Sequence, residues 1–186
     1  GDSMITAKEV AQVKSLSNRP DRNNSIFKGN TKIETFNEFR FFTGLNKINI
    51  GSFDGCTNLR EVTLPLNTIL GNSAFSQTGI ERLIIPEGYQ IIGIGVFQKC
   101  PNLKLIDISS TVTSISDGGS LFWYMKNQVV VVCRAITPPI LGGWGYEGEP
   151  KAIYVPDVSV DAYKSAAGWS SQAANVQPLS AYVEIR

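Results

Sequence analysis

The residues most suited to chemistry lie in a short glycine-rich stretch, residues 142–148, and just after it. Glu147 and Glu149 come nearest to the carboxylate pair of a glycoside hydrolase, which needs two acids at a fixed separation across a bond. A glycine-rich loop fixes little, so a carbohydrate-active enzyme is kept only as an alternative. Trp144 and Tyr146 alternate with the glycines, and they are either anchors for a partner or side chains that cover a core end.

The same stretch contains Gly143-x-Gly145-x-x-Gly148, which has the spacing of a dinucleotide-binding fingerprint. That fingerprint needs a strand before it and a helix after it, whose N-terminus holds the pyrophosphate. Here Pro138-Pro139 precedes it, and a predicted strand from Ala152 to Val155 follows. We interpret the match as accidental and predict no cofactor.

Composition excludes several classes of function. None of the 186 residues is histidine, which removes Ser-His-Asp and Cys-His catalysis and histidine-based zinc sites. A net charge of +1 provides no basic stripe, so we expect no nucleic acid partner. The densest apolar run, Val129 to Cys133, is far shorter than the roughly 18 residues of a membrane span. The first four residues show neither the basic nor the apolar region of a signal peptide.

The element that must position these residues is a repeat from Phe53 to Ile115. Phe53, Phe75 and Phe97 are 22 residues apart, and an L-x-x-L-x-L strand pattern follows each of them. A period in the low twenties predicts a leucine-rich-repeat solenoid, because each repeat can bury its apolar side only against its neighbours. The fold class is therefore an α/β repeat protein, a right-handed solenoid of mostly short strands and turns.

Several residues recur at fixed places in the repeat. The phenylalanines should stack, beside a second ladder of Ile48, Leu70, Ile92 and Ile115. Asn58, Gly79 and Asn102 precede successive strands, which predicts a left-handed turn at each.

The three cysteines are Cys56, Cys100 and Cys133, without Cys-x-x-Cys spacing, so we predict no metal site. Cys56 and Cys100 occupy the same place two repeats apart, about 10 Å between Cα atoms. That exceeds the roughly 7 Å a disulfide can bridge. We predict three free, buried thiols.

Both ends should be closed by helices, because an open end would expose apolar surface and unpaired strand edges. Capping boxes at Thr6/Glu9 and Thr35/Glu38 predict helices over residues 5–16 and 33–42, with Gly44 at the end of the second. Ser159 to Ala167 predicts a C-terminal helix that closes the edge together with Trp169, and Tyr182, Val183 and Ile185 suggest a last strand. The predicted organisation is one structural domain: a cap and loop over 1–44, the solenoid over 45–135 and a C-terminal cap over 136–186.

The outward-facing strand positions are where a partner would bind. In register they form the rows Arg60, Glu81, Lys104, then Glu61, Arg82, Leu105, then Thr63, Ile84, Asp107. Alternating charges are typical of a solvated sheet, whereas Ile84 and Leu105 form a small apolar patch. The candidate partner-binding residues are Arg60, Arg82, Ile84, Leu105, Trp144 and Tyr146.

Repeats such as Ile92 to Ile108, of the form Ile-Gly-x-x-x-Phe-x-x-Cys-x-x-Leu-x-x-Ile-x-Ile, resemble the BspA-type leucine-rich repeats of bacterial surface proteins. Cys133 to Pro139, Ile153 to Pro156 and Gly168-Trp169-Ser170 resemble the C-terminal capping segment of that family, and Phe36 to Gly44 resembles the segment before its repeats. Ser109 in place of proline and the Leu121 to Tyr124 stretch predict an irregular fourth repeat. The resemblance implies an exported or surface-anchored protein that binds host or bacterial surface proteins or glycans.

Three functions stay open at this point. The first is a non-catalytic binding or adhesion module, extracellular or at the cell surface and monomeric, which binds through the strand face or the glycine-rich loop. The second is a passive spacer within a larger surface protein. The third is the carbohydrate-active enzyme.

Overall fold

The computed structural model describes residues 7–16, 25–66, 69–116, 119–123 and 128–183. Regular structure in these residues consists mainly of short strands, because each repeat turns after two to four extended residues. The strands are β1 (Thr35–Phe36), β2 (Glu61–Val62), β3 (Arg82–Ile85), β4 (Ile91–Ile92), β5 (Leu105–Ile108), β6 (Ser114–Ile115), β7 (Val130–Cys133), β8 (Ile140–Leu141), β9 (Ala152–Val155) and β10 (Val176–Pro178). Two helices, α1 (Ala7–Val10) and α2 (Val160–Ser165), lie near the ends.

The described strands pair in parallel, each with the equivalent strand of a neighbouring repeat. One sheet has the spatial order β3-β5-β7-β9-β10, a second has the order β4-β6-β8, and β1 pairs with β2. Single bridges from Ile48 to Leu70 and from Leu70 to Ile92 continue the second row through the earlier repeats. The chain therefore returns to the same two rows in each repeat.

The core lies between these rows and contains both predicted ladders. Ile48, Leu70, Ile92 and Ile115 are fully buried in register, which confirms the aliphatic ladder. Phe53 and Phe75 stack with 5.0 Å between ring centroids and 2° between ring planes.

The aromatic ladder is longer than the sequence pattern indicates. Phe27 stacks on Phe53 at 5.2 Å, and Phe122 follows Phe97 at 6.3 Å. Trp144 stacks on Phe122 at 6.1 Å. The irregular fourth repeat thus supplies a ring at the ladder position by using a longer spacing.

The predicted left-handed turns are wrong in place. Positive φ angles occur two residues before each ladder phenylalanine and two residues after it, at Gly51, Ser73, Gly95, Gly55, Gln77 and Lys99. The residues before the strands are selected by contacts between repeats instead. A Cβ on Gly79 would lie 2.5 Å from the Thr57 carbonyl oxygen, and the Asn58 side-chain amide donates to the Thr31 carbonyl at 2.6 Å.

The predicted helix over residues 33–42 is also wrong in part. Thr35 and Phe36 form β1, paired with Glu61 and Val62 of β2, and only Asn37–Phe41 is helical, as a 3₁₀ helix without a side-chain cap. The unpaired edge of β2 accepts a parallel partner, and this pairing outweighs the local helical pattern. Gly44 is required by close packing rather than by a helix end, because a Cβ there would clash with the Ala11 carbonyl oxygen. The first predicted capping box includes Thr6, outside the described residues.

At the C-terminal end, a 3₁₀ helix (Asp157–Ser159) leads into α2, and the chain turns at Gly168 with φ +79°. Trp169 is fully buried and donates its indole N–H to the Pro139 carbonyl at 2.8 Å. The last described strand is β10, followed by a 3₁₀ helix (Leu179–Ala181), whereas the sequence suggested a strand around Tyr182. Ile185 lies outside the described residues.

Candidate binding face

The centre of the candidate site is β3, where outward and inward side chains alternate. Leu83 and Ile85 enter the core, while Arg82 and Ile84 point to solvent. The Ile84 side chain is 64% exposed. An aliphatic residue exposed to this extent in mid-strand is a natural contact for a partner.

Clefts lie on both sides of Ile84. One has a volume of about 370 Å³ and is lined by Glu61, Val62, Thr63, Leu64, Arg82, Ile84 and Pro86. The other has a volume of about 240 Å³ and is lined by Ile84, Ile85, Pro86, Glu87, Asp107, Ser109 and Arg134. Ile84 therefore forms a ridge between two recesses. We call Arg60, Glu61, Thr63, Arg82 and Ile84 the open strand face.

Ion pairs between repeats border this face. Arg134 donates two hydrogen bonds to Asp107, at 2.7 and 2.6 Å, and this pairing raises the pKa of the guanidinium. Lys104 contacts Glu81 at 2.8 Å, and its hydrogen bond lowers the pKa of that carboxyl. These bonds link adjacent repeats, as expected for the predicted charge rows. The predicted pairing of Arg82 with Leu105 and of Ile84 with Asp107 is confirmed.

Leu105 does not belong to the open strand face, which corrects the predicted patch. It is only 8% exposed and packs with Val130 and Val132 in a second apolar cluster. Tyr154, Leu179 and Tyr182 pack against that cluster from outside. The C-terminal segment thus lies over this part of the sheet, whereas Ile84 remains uncovered.

The two aromatic residues of the glycine-rich loop have different environments. Trp144 is 5% exposed, donates its indole N–H to the Gly168 carbonyl at 3.1 Å and meets Trp169 edge-on at 5.4 Å. Of its two interpretations, covering a core end is the one that fits, and Trp144 is not a partner anchor. Tyr146 is 62% exposed.

The glycines of this loop are explained by packing. A Cβ on Gly145 would overlap the Phe122 carbonyl oxygen, and one on Gly148 would lie 2.3 Å from the Trp144 carbonyl oxygen. The chain then runs into strand β9, so the helix that a dinucleotide site needs does not follow. Glu149 is exposed and Glu147 half-buried on this loop.

All three cysteines are free and buried, as predicted. The Cys56 and Cys100 thiols donate to the carbonyls of Phe27 and Phe75, the ladder residues of the preceding repeats, at 2.9 and 3.0 Å. Cys133 lies 3.2 Å from the Tyr163 hydroxyl. Burial raises the pKa of each thiol, that of Cys133 to about 11. Protonated thiols at neutral pH are poor nucleophiles and metal ligands.

A third cleft, of about 350 Å³, lies where the open strand face meets the C-terminal segment. It is lined by Glu81, Arg82, Lys104, Leu105, Gln128, Val130, Lys151 and Tyr182, and we call it the cationic cleft. Sequence reasoning missed Gln128, Lys151 and Tyr182 because they come from segments without the L-x-x-L-x-L pattern. The one available signal was that Lys151 precedes β9 as Lys104 precedes β5.

Two classes of site find no support in the residues described. Nowhere among them do three His, Cys, Asp or Glu side chains gather in a way that could hold a metal ion. No helix among them has both the length and the apolar character to cross a membrane.

Rows of parallel strands, repeated every 22 to 25 residues around an aromatic and an aliphatic ladder, define a leucine-rich-repeat protein. The profile of the BspA type leucine rich repeat region matches residues 22–136 in six copies, and the chain belongs to this family. Repeats of this family occur in bacterial surface proteins and are generally non-catalytic. The match begins before the predicted boundary at residue 44, consistent with Phe27 and β1 lying in register with later repeats. No curated protein matches the chain.

Proposed function

We propose that this chain is a non-catalytic binding module of a bacterial cell-surface or secreted protein, and that it binds a surface protein or glycan through the open strand face. The proposal treats the stacked repeats as a right-handed solenoid closed at both ends, monomeric and extracellular. The observation that carries it is Ile84, an exposed aliphatic side chain between two clefts on a sheet whose other bulky outward residues are covered.

The surroundings of Ile84 suit a protein or glycan surface. Interfaces combine an apolar centre with a polar rim, and arginine is enriched in them. Arg82 lies on the same strand, and Arg60 precedes the neighbouring strand β2. Both arginines are exposed, so they can contact a partner that reaches Ile84. Tyr146 supports a second contact on the glycine-rich loop.

The test is a binding screen of the purified chain against immobilised host matrix proteins and a glycan array, followed by variants. Ile84→Glu places a charge at the apolar centre, and we expect at least about a tenfold loss of affinity. Val158→Glu is the matched control, since Val158 is 87% exposed on the 3₁₀ helix before α2, and it should bind as the unaltered chain does. Equal binding by Ile84→Glu and the unaltered chain would refute the open strand face. A chain that binds nothing in the screen would instead be a spacer.

A further inference from the structure

The cationic cleft carries chemistry that the exposed ridge at Ile84 does not. Arg82, Lys104 and Lys151 contribute three positive charges, against one negative charge from Glu81. The Glu81 carboxylate is already held by Lys104 at 2.8 Å. The cleft therefore has an excess of positive charge on a chain whose net charge is only +1. This local excess favours an anionic ligand.

The position of these cations follows from the strand register. Lys104 and Lys151 directly precede β5 and β9, and Arg82 begins β3. Backbone hydrogen bonds keep the preceding residues in line: Val130 donates to the Lys104 carbonyl at 2.8 Å, and Lys151 donates to the Val129 carbonyl at 2.7 Å. The three cations thus lie at the same end of their strands, on a backbone that the repeats hold fixed.

The remaining lining provides an apolar surface for a ring. Leu105 and Val130 form the floor, and Tyr182 brings an aromatic side chain. Aromatic side chains offer a flat apolar face, against which the C–H face of a sugar ring packs. The Gln128 amide, which also lines the cleft, can bond hydroxyl groups.

The cleft does not suit an extended acidic peptide. Peptides that bind sheets pair with an unpaired strand edge, but β5 and β7, which form the floor, are each paired on both sides. Its volume of about 350 Å³ lies near the lower limit of small-molecule sites, about 300–1,000 Å³. A compact ring that carries one charge fits these conditions.

We propose that the cationic cleft binds a carboxylated sugar, a hexuronic or sialic acid unit of an acidic glycan, with its carboxylate between Lys104 and Lys151 and its ring against Tyr182. This rests on the proposed function as a binding module and names the ligand class at one end of its surface. Carboxylates bind lysine and arginine through charge-assisted hydrogen bonds, which are stronger than neutral ones.

Titration calorimetry on the full chain tests the proposal with four probes: 3′-sialyllactose, a hyaluronan tetrasaccharide, neutral lactose and a tetraglutamate peptide. We expect at least one acidic sugar to bind, more weakly at high salt, and lactose and the peptide to bind at least about tenfold more weakly. Lys151→Glu should lower acidic-sugar affinity at least about tenfold. Lys164→Glu makes the same change of charge at an exposed lysine of α2 outside the cleft and should leave affinity unchanged.

The inference is overturned if neither acidic sugar binds at millimolar concentration, if lactose or tetraglutamate binds as well, or if Lys151→Glu binds normally. Its failure is separable from that of the proposed function. Ile84-dependent binding without acidic-sugar binding refutes the ligand class alone. Acidic-sugar binding that is lost in Lys151→Glu and kept in Ile84→Glu supports the ligand class and refutes the open strand face as the contact.

Discussion

Each position of the aromatic ladder holds a ring that packs against the neighbouring repeat, so one side chain contributes to two repeats at once. Phe75 is fully buried and stacks on Phe53 at 5.0 Å. We expect Phe75→Ala to lower the free energy of unfolding by about 3–5 kcal/mol, because it removes a ring and leaves a cavity.

Urea denaturation followed by circular dichroism measures this loss. Phe41→Ala is the control, since Phe41 is partly exposed and its side chain contacts Arg40. It should cost less than about 1 kcal/mol. Equal losses in the two variants would contradict the ladder as the source of stability.

The buried thiol of Cys133 predicts a specific loss of stability in alkaline solution. Burial raises its pKa from 9.0 to about 11 in the folded chain. A raised pKa stabilises the folded state fully below the unfolded value, and the contribution disappears as the pH rises from about 9 to about 11. With folded and unfolded values about two pH units apart, about 2–3 kcal/mol is lost over that range.

Cys133→Ser isolates this effect, because a hydroxyl does not titrate there and can keep the contact with Tyr163. The free energy of unfolding, measured in urea from pH 8 to pH 11, should fall less steeply for this variant than for the unaltered chain. Parallel curves would show that the thiol does not contribute.

At the scale of elements, adjacent repeats approach so closely that some positions admit only glycine. A Cβ on Gly71 would lie 2.7 Å from the Ile48 carbonyl oxygen, and the atoms that it meets belong to the backbone of the preceding repeat. Backbone held by strand pairing cannot move aside, so Gly71→Ala should destabilise the chain by about 1–3 kcal/mol.

Gly143→Ala is the matched control for this substitution. Its nearest contact would be the Gly119 carbonyl oxygen at 3.4 Å, which is an ordinary separation. The expected change in the free energy of unfolding is within about 0.5 kcal/mol. Thermal melts compare the two variants, and a harmless Gly71→Ala would mean that adjacent repeats separate more easily than their hydrogen bonds indicate.

At the scale of the whole molecule, the C-terminal segment determines which surfaces are available. It covers the Leu105 cluster from outside and supplies Trp169, which packs against Trp144 at the end of the aromatic ladder. A chain that ends at Val155 would expose the edge of β9 and both apolar surfaces. We expect it to bind a hydrophobic dye and to self-associate, because unpaired edges and exposed apolar patches promote aggregation.

Light scattering after size-exclusion chromatography measures this. Tyr182→Ser is the comparison, since it removes one outer contact and leaves β10 and Trp169 in place. It should remain the same size as the unaltered chain. A stable monomer ending at Val155 would show that the repeats need no C-terminal cover.

The sequence alone determined the repeating core. Its 22-residue period located Phe53, Phe75, the aliphatic ladder and the inward residues of the strands, because a repeat must bury the same positions each time. The absence of Cys-x-x-Cys spacing and the repeat arithmetic also gave three free thiols. These features depend on local pattern and on contacts with adjacent repeats.

Only the tertiary structure decided which outward residues are accessible. Leu105 and Ile84 look equivalent in the strand pattern, yet a segment about 75 residues later covers the first and leaves the second exposed. In the same way, Trp144 completes the aromatic ladder, and Thr35–Phe36 becomes a strand by pairing with β2. Each outcome depends on a contact distant in sequence, which local propensity cannot encode.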